Sequence, residues 1–282
     1  MNYMRKVAIT GATGFIGRHI CASFEQLGID YVRLTRQPEC GRDRFYDLSL
    51  KKLSPTLFEG VDTLIHAAAY VHKDSDKLMH QKLNFEATKL LFDSAISKKL
   101  NIIFISTVGV YGQVASKDII DERDELKPLN VYSQAKLNCE EYLEFKAKSE
   151  LIMYTTFRLP LVIGMSAPGT FGLLEKMMLY GLPLPFKKSD NLRSVLDVEC
   201  FAEFMAGFYQ KNIFLNKSVI VKNKEDMSLD AMLVYLSGKN NKPYKSFYFP
   251  TILIKILLYI LFRKKIAQQL FGSLVFRGTF EV

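Results

Sequence analysis

Thr10-Gly11-Ala12-Thr13-Gly14-Phe15-Ile16-Gly17 follows the apolar run Val7–Thr10 and leads into a stretch with helical spacing. Its glycines recur as G-x-x-G-x-x-G. Gly11 suits a tight turn, Gly14 lets backbone N–H groups approach a pyrophosphate, and Gly17 lets helix and strand pack closely. Thr13, Phe15 and Ile16 complete a loop that opens onto a helix N-terminus, where partial positive charge favours phosphate. A glycine triplet alone is weak. Placed after a first strand and before a first helix, it is a dinucleotide-binding signature.

Working outward, short β-branched runs at Val7–Thr10, Tyr31–Leu34, Thr63–His66 and Ile102–Ser106 alternate with stretches of helical spacing. Apolar runs without polar alternation are what buried parallel strands look like. A helix over Tyr132–Lys148 and a strand over Tyr154–Leu159 extend the pattern. The expected fold class is therefore α/β: a Rossmann-type doubly wound parallel sheet with a small mixed α/β C-terminal substrate lobe. Residues 1–165 form the expected dinucleotide-binding domain, with core elements returning from 190–222, and 166–282 mainly the substrate lobe, shortened at its C-terminus. After Pro160 the texture changes, with Pro168, Gly169, Gly172, Gly181, Pro183 and Pro185 between short pieces.

Composition narrows the class. The chain has 282 residues, 49% hydrophobic and 24% charged, with 21 Phe and 14 Tyr that demand burial, so global disorder is excluded. Four cysteines stand far apart with no CxxC pair, and the four histidines (His19, His66, His72, His80) form no metal-ligand pattern, so no metal is expected. His66 reads as a satisfied strand-end histidine. Net charge is +9, and residues 213–282 alone carry 11 Lys/Arg against 4 Asp/Glu. The basic residues are dispersed and no nucleic-acid module is visible, so no nucleic-acid partner is expected. No export signal precedes the first strand, which points to a cytoplasmic location. The run Ile252–Phe262 has 11 residues, interrupted by Lys255, against the ~20 of a spanning helix. A helix docked on the core is the favoured reading, and a weak membrane-surface contact through 250–265 is the alternative.

Cofactor choice turns on the end of the second strand, where an acid suits NAD and an arginine suits the 2′-phosphate of NADP. Tyr31-Val-Arg-Leu-Thr-Arg36 offers Arg36 and no acid. NADP(H) is favoured on that ground, with NAD(H) allowed. Asp47, before Leu48, is placed to meet the adenine region. Tyr132-Ser-Gln-Ala-Lys136 puts a phenol and an ammonium at i and i+4 of one helix face. Half-ionising a tyrosine at neutral pH requires roughly 4 kcal/mol. A cation ~5 Å away at an effective dielectric of ~20 supplies about 3 kcal/mol. Lys136 is thus expected to lower the Tyr132 pKa and make it a base.

Together with Asp62-Thr-Leu-Ile-His-Ala-Ala-Ala69, Asn84-x-x-Ala-Thr88, Ile105-Ser-Thr107, Val110-Tyr-Gly112, Arg158-Leu-Pro160 and Gly164, these motifs run in order along the chain. The sequence resembles the extended short-chain dehydrogenase/reductase family, in its nucleotide-sugar epimerase, dehydratase and 4-keto-reductase branch. The resemblance continues through Gly181-Leu-Pro-Leu-Pro-Phe186 and Asn191-Leu-Arg-Ser194. It implies that Tyr132 is the general acid/base on the sugar C4 oxygen, that Lys136 tunes it and holds the nicotinamide ribose, and that Thr107 holds the C4 oxygen in line. Gly11, Thr13, Gly14, Phe15, Ile16, Gly17, Arg36, Asp47, Leu48, Ala67, Ala68, Ala69, Ser106 and Pro160 would join them around the cofactor. Thr170, Phe186 and Arg193 would join Thr107 and Tyr132 around a UDP-sugar, with Arg193 on the pyrophosphate. Thr170 and Cys200 depart from the family's usual Asn and Asp/Asn. The implied function is reduction of a UDP-4-keto sugar. UDP-sugar 4-epimerisation with retained NAD is the first alternative, and a non-catalytic dinucleotide-binding scaffold the second. A homodimer is allowed.

Overall fold

The computed structural model describes residues 5–71, 76–261 and 263–282. His72 and Phe262, the latter inside the segment considered for membrane contact, lie outside the described residues. The chain divides into two compact units: Met1–Gly112, Glu125–Leu159 and Glu199–Ile220 form the first, and Gln113–Asp124, Pro160–Val198 and Val221–Val282 the second.

The first unit begins β1 (Lys6–Thr10), α1 (Phe15–Gln26), β2 (Asp30–Thr35), β3 (Asp43–Phe45) and β4 (Thr63–His66). The short α2 (Lys77–Met79) runs into a π-helical stretch, His80–Glu86, and then α3 (Ala87–Ser97). After β5 (Asn101–Thr107) come a 3-10 turn, Val108–Tyr111, the long α4 (Val131–Glu150) and β6 (Tyr154–Leu159). The second unit adds β7 (Leu161–Ile163), α5 (Gly169–Leu179) and β8 (Val195–Asp197), and the chain then returns to the first unit for α6 (Val198–Gln210) and most of β9 (Ser218–Lys222). It ends with α7 (Leu229–Asn240), α8 (Thr251–Ile260), α9 (Lys264–Phe271) and β10 (Phe280–Glu281).

Eight strands pair in the order β10-β9-β6-β5-β4-β1-β2-β3, every pair parallel. The order reverses direction beside β1, as a doubly wound sheet does. The expected α/β architecture is what folds. Strand positions agree with the sequence reading to within one or two residues, because these runs are buried on both faces. All six residues of β6 and all four of β4 are buried. β7 and β8 form a separate parallel pair in the second unit.

Packing explains the register. Leu64, Leu91, Phe92, Ile102 and Phe104 are fully buried in one cluster. The His66 ring stacks on Phe104 and meets Phe92 edge-on, both at 5.7 Å. Burying each such side chain contributes roughly 1.5–3 kcal/mol. A capping contact starts α4, where Asn130 Oδ1 accepts from the Ser133 N–H at 2.8 Å. The helix ends at Leu151, whose left-handed φ of 55° stops it.

One expectation changes. The apolar C-terminal run does form a helix, α8, but the helix has no buried residue. Docking on the core therefore hides only one side of it.

Candidate functional site

The glycine loop packs backbone on backbone. Gly11 has φ +67°, and a Cβ there would lie 2.7 Å from the Ala68 nitrogen. A Cβ on Gly17 would strike the Gly11 carbonyl. Helix α1 starts from an extended Gly14 with no side-chain cap and no acid in its first turn. Its first N–H groups are thus left to an external anion. Thr13 and Gly14 are exposed and Phe15 and Ile16 half-buried, so the loop offers backbone donors at its surface. This donor set fits a dinucleotide pyrophosphate.

Ala67–Ala69 follow β4 in the position that the loop approaches. The Ala68 N–H donates to Thr10 Oγ1 at 3.2 Å, and that hydroxyl lies 2.7 Å from His66 Nδ1. His66 Nε2 lies 2.9 Å from Thr88 Oγ1. Burial holds the imidazole pKa well below its ordinary value, so His66 is a neutral tie between β1, β4 and α3.

At the end of β2, Arg36 is exposed, with Nε 3.8 Å from Asp47 Oδ2. Asp47 accepts from the Ser49 hydroxyl and N–H, which lowers its pKa. The two adenosine-side residues named from sequence are therefore neighbours, with Leu48 half-buried beside them. Other arginines nearby are also engaged. Arg33 forks onto Asp43 at 2.6 and 2.9 Å, and Arg42 meets Glu25 at 3.1 Å. Arg44 donates to the Leu57 and Glu59 carbonyls, each at 2.8 Å.

Lys136 reaches the carboxyl end of β5, which Thr107 closes, and Tyr132 precedes Lys136 by one turn of α4. Thr107 Oγ1 accepts from the Gly109 N–H at 3.0 Å. The hydroxyl proton remains free to donate. Lys136 is buried, its Nζ donates to the Ile105 carbonyl at 2.8 Å, and it lies 4.5 Å above the Phe104 ring centre. The ammonium is 6.0 Å from the Tyr132 ring centre.

The electrostatics differ from the sequence expectation. Burial pushes the Tyr132 phenol up to about 12 and pulls Lys136 down to about 8. Desolvation opposes both charges, and at this separation the ammonium does not offset it. Tyr132 in the free chain is an acid holding its proton. Lys136 is still mostly charged at neutral pH.

Several supporting residues were missed in the sequence. Gly109 sits close to both Ser133 and Thr107, since a Cβ there would lie 2.5 Å from Ser133 Oγ and 3.3 Å from Thr107 Oγ1. One turn beyond Lys136, buried Glu140 accepts from Arg158 Nε and Nη2 at 2.9 and 2.7 Å. It also accepts from Ser218 at 3.0 Å and from the Ser106 hydroxyl. Ser106, expected at the cofactor, thus directs its side chain into the protein. Arg158 Nη1 donates to the Tyr111 hydroxyl at 2.8 Å. Asn84 brackets Tyr70, accepting from its N–H at 2.7 Å and donating to its carbonyl at 2.8 Å. The i+4 spacing of Lys136 and Glu140 was the available signal for the first network.

In the second unit, Arg193 donates to the Gly272 carbonyl at 2.8 Å and more weakly to those of Val114 and Gln268. Desolvation alone lowers its pKa to about 10, with no acid among the causes. Phe186 is buried against Phe271, ring centres 5.9 Å apart. Thr170 is half-buried near the start of α5 and Pro160 is buried.

A doubly wound parallel sheet and an uncapped glycine loop give the first unit a dinucleotide-binding type of fold. The chain belongs to the NAD dependent epimerase/dehydratase family, whose model matches residues 7–212. It is similar to a UDP-glucose 4-epimerase of Vibrio cholerae, 23% identical over 96% of this chain and 86% of that one. A dTDP-6-deoxy-L-talose 4-dehydrogenase (NAD(P)(+)) of Kitasatospora kifunensis is 29% identical over 58% of this chain and 54% of its own length. Among solved structures, a UDP-glucuronic acid 4-epimerase from Bacillus cereus in complex with NAD superposes with a TM-score of 0.72. That match has 23% identity and covers 86% of this chain and 87% of the other. Among the described residues, no helix is long and apolar enough to cross a membrane.

Proposed function

We propose that this chain is a UDP-sugar 4-epimerase that keeps its NAD, with the first unit holding the cofactor and the second the nucleotide-sugar. The observation that carries the reading is Lys136 reaching the strand end that Thr107 closes, with Tyr132 one turn away on α4, in the unit that carries the glycine loop. NAD, when bound, supplies the hydride acceptor at its nicotinamide. The chain's residues handle the proton and the geometry. Tyr132 exchanges a proton with the C4 oxygen: burial keeps the phenol protonated in the free chain, so the proton is in place for a 4-keto oxygen but has to leave before the phenolate can accept one from a C4 alcohol. Accepting one requires extra positive charge, for which Lys136 is the resident source. The Thr107 hydroxyl donates to a C4 ketone or accepts from a C4 alcohol, since its other contact is as acceptor from Gly109. Arg193, charged and without an acid beside it, is assigned to the UDP pyrophosphate. Ala67–Ala69 and Asp47 are assigned to the cofactor, with Thr170 beside the nucleotide.

The arginines at β2 favour NAD over NADP. Arg33, Arg36 and Arg42 each face a carboxylate and Arg44 faces carbonyls, so a 2′-phosphate would have to displace an acid. The Bacillus cereus epimerase structure holds NAD, which supports the same choice, while the Kitasatospora dehydrogenase is named for either cofactor. The reductase reading rests on Arg36 standing where an acid would select NAD, and it is tested alongside.

The experiment is to denature the purified protein, identify any released dinucleotide, and incubate the native protein with UDP-glucose, UDP-galactose and their N-acetylamino counterparts. Retained NAD and C4-epimerised product with no net cofactor change support the proposal. Stoichiometric NADPH oxidation with a UDP-4-keto sugar, and no epimerisation, would overturn it.

A further inference from the structure

Helix α8 is built inside out. Its outward residues Ile252, Leu253, Ile256, Leu257, Tyr259 and Ile260 are each between 47% and 66% exposed. Thr251, Ile254, Lys255 and Leu258 take the inner side, and the Lys255 ammonium lies 5.8 Å over the Phe271 ring. A helix adapted to water places its lysine outward and its leucines inward. This one does the reverse. The aromatic residues Phe247, Tyr248 and Phe249, which lead into the helix, are exposed as well.

Charge identifies the occupant. From residue 231 to 280 the sequence has no Asp or Glu, against eight Lys and Arg. Among the described residues, Lys242, Lys245, Lys255, Arg263 and Lys264 show no ion pair with a carboxylate. Beside the aromatic lead-in, Lys187, Lys188, Ser246, Phe247 and Tyr248 line an open groove of about 650 Å³. The backbone holds the groove in shape, as Phe247 and Leu184 pair at 3.1 Å and Lys187 donates to the Phe247 carbonyl at 3.3 Å.

From this we propose that the second unit docks on an anionic phospholipid surface through α8 and its aromatic lead-in. The apolar face enters the headgroup–acyl boundary, and the lysines and Arg263 meet lipid phosphates. A second copy of the chain fits less well. Ten residues rise ~15 Å, and a strip ~10 Å wide covers roughly 150 Å², against about 800 Å² per partner in a stable interface. A surface dense in anionic groups also answers the missing acids, whereas an identical basic face repels itself.

The test uses the full chain and sedimented vesicles of phosphatidylcholine, with and without about 30 mol% phosphatidylglycerol. Binding to the anionic vesicles should exceed binding to the neutral ones at least ~10-fold, and should weaken by a similar factor in about 1 M salt, where screening falls to ~3 Å. The double variant Leu253→Asp, Leu257→Asp should abolish it. The chain has no tryptophan, so Tyr259→Trp gives a single reporter that barely alters the helix. Its emission should shift to the blue on adding anionic vesicles. Absence of that shift together with equal binding to both vesicle types overturns the proposal. So does a wild-type dimer, indifferent to lipid, that the double variant converts to monomer.

Discussion

Replacing Lys136 by Met tests whether burial governs the centre. Lys136 is 3% exposed and its pKa falls from an ordinary 10.5 to about 8. At about 1.4 kcal/mol per pKa unit, the folded chain holds the charged form at pH 7 against about 3 kcal/mol. The sign follows from proton counts. Between pH 8 and 10.5 the unfolded chain binds a proton that the folded chain has released, so stability rises with pH across that window. By pH 10 the remaining penalty is about 1 kcal/mol, and the wild type gains about 2 kcal/mol between pH 7 and 10 from this group alone. Met has nearly the same shape and no charge. It also leaves the Ile105 carbonyl without its donor, at about 1–3 kcal/mol that does not depend on pH.

At pH 7 the variant should therefore be between equally stable and about 2 kcal/mol more stable than wild type, although turnover falls steeply. Urea unfolding of both proteins at pH 7, 8, 9 and 10 provides the measurement, and other titrating groups cancel in the difference. Wild type should catch up by about 2 kcal/mol over that range. Parallel curves, within about 0.5 kcal/mol, would mean that Lys136 titrates as a solvated lysine and that desolvation does not set the Tyr132 value either.

Tyr132→Phe should lower epimerisation at least ~100-fold while dinucleotide binding, followed by calorimetry, stays within a few-fold of wild type. Gly109→Ala places a Cβ 2.5 Å from Ser133 Oγ, so turnover and melting temperature should both fall, and adding Ser133→Ala should recover much of the loss. An unchanged Gly109→Ala enzyme would show that the turn after β5 and helix α4 do not approach this closely. Glu140→Gln leaves Arg158 buried without its counter-charge and should destabilise by about 3–5 kcal/mol in urea unfolding, far more than a surface carboxylate would.

What the sequence made legible follows from geometry that repeats. The loop at 10–17 could be read because glycine spacing, strand and helix occur together, and the strands because burial on both faces removes polar alternation. Tyr132 and Lys136 share a helix face by spacing alone. The pKa values did not follow, since spacing sets distance and only tertiary packing sets desolvation. Phe104 beneath Lys136 and the Ile105 carbonyl at 2.8 Å come from another strand. Ser106 illustrates the same limit. Its place next to Thr107 suggested the cofactor, yet residues alternate along a strand, and its side chain reaches Glu140 on the far side.

Helix α8 carries that argument to its end. Periodicity identified a helix but not which face would meet the protein, because nearly every face is apolar. Lys255 would ordinarily mark the side that meets water. Here the one charged side chain within α8 lies over Phe271, and Ile256 and Ile260 point outward. Leaving such a face in water forgoes roughly 25 cal/mol for each Å² of apolar surface, so its retention needs a surface that removes it from water. A ten-residue helix is too short to span a bilayer and long enough to lie in its interface, and the fifty acid-free residues around it select the anionic leaflet.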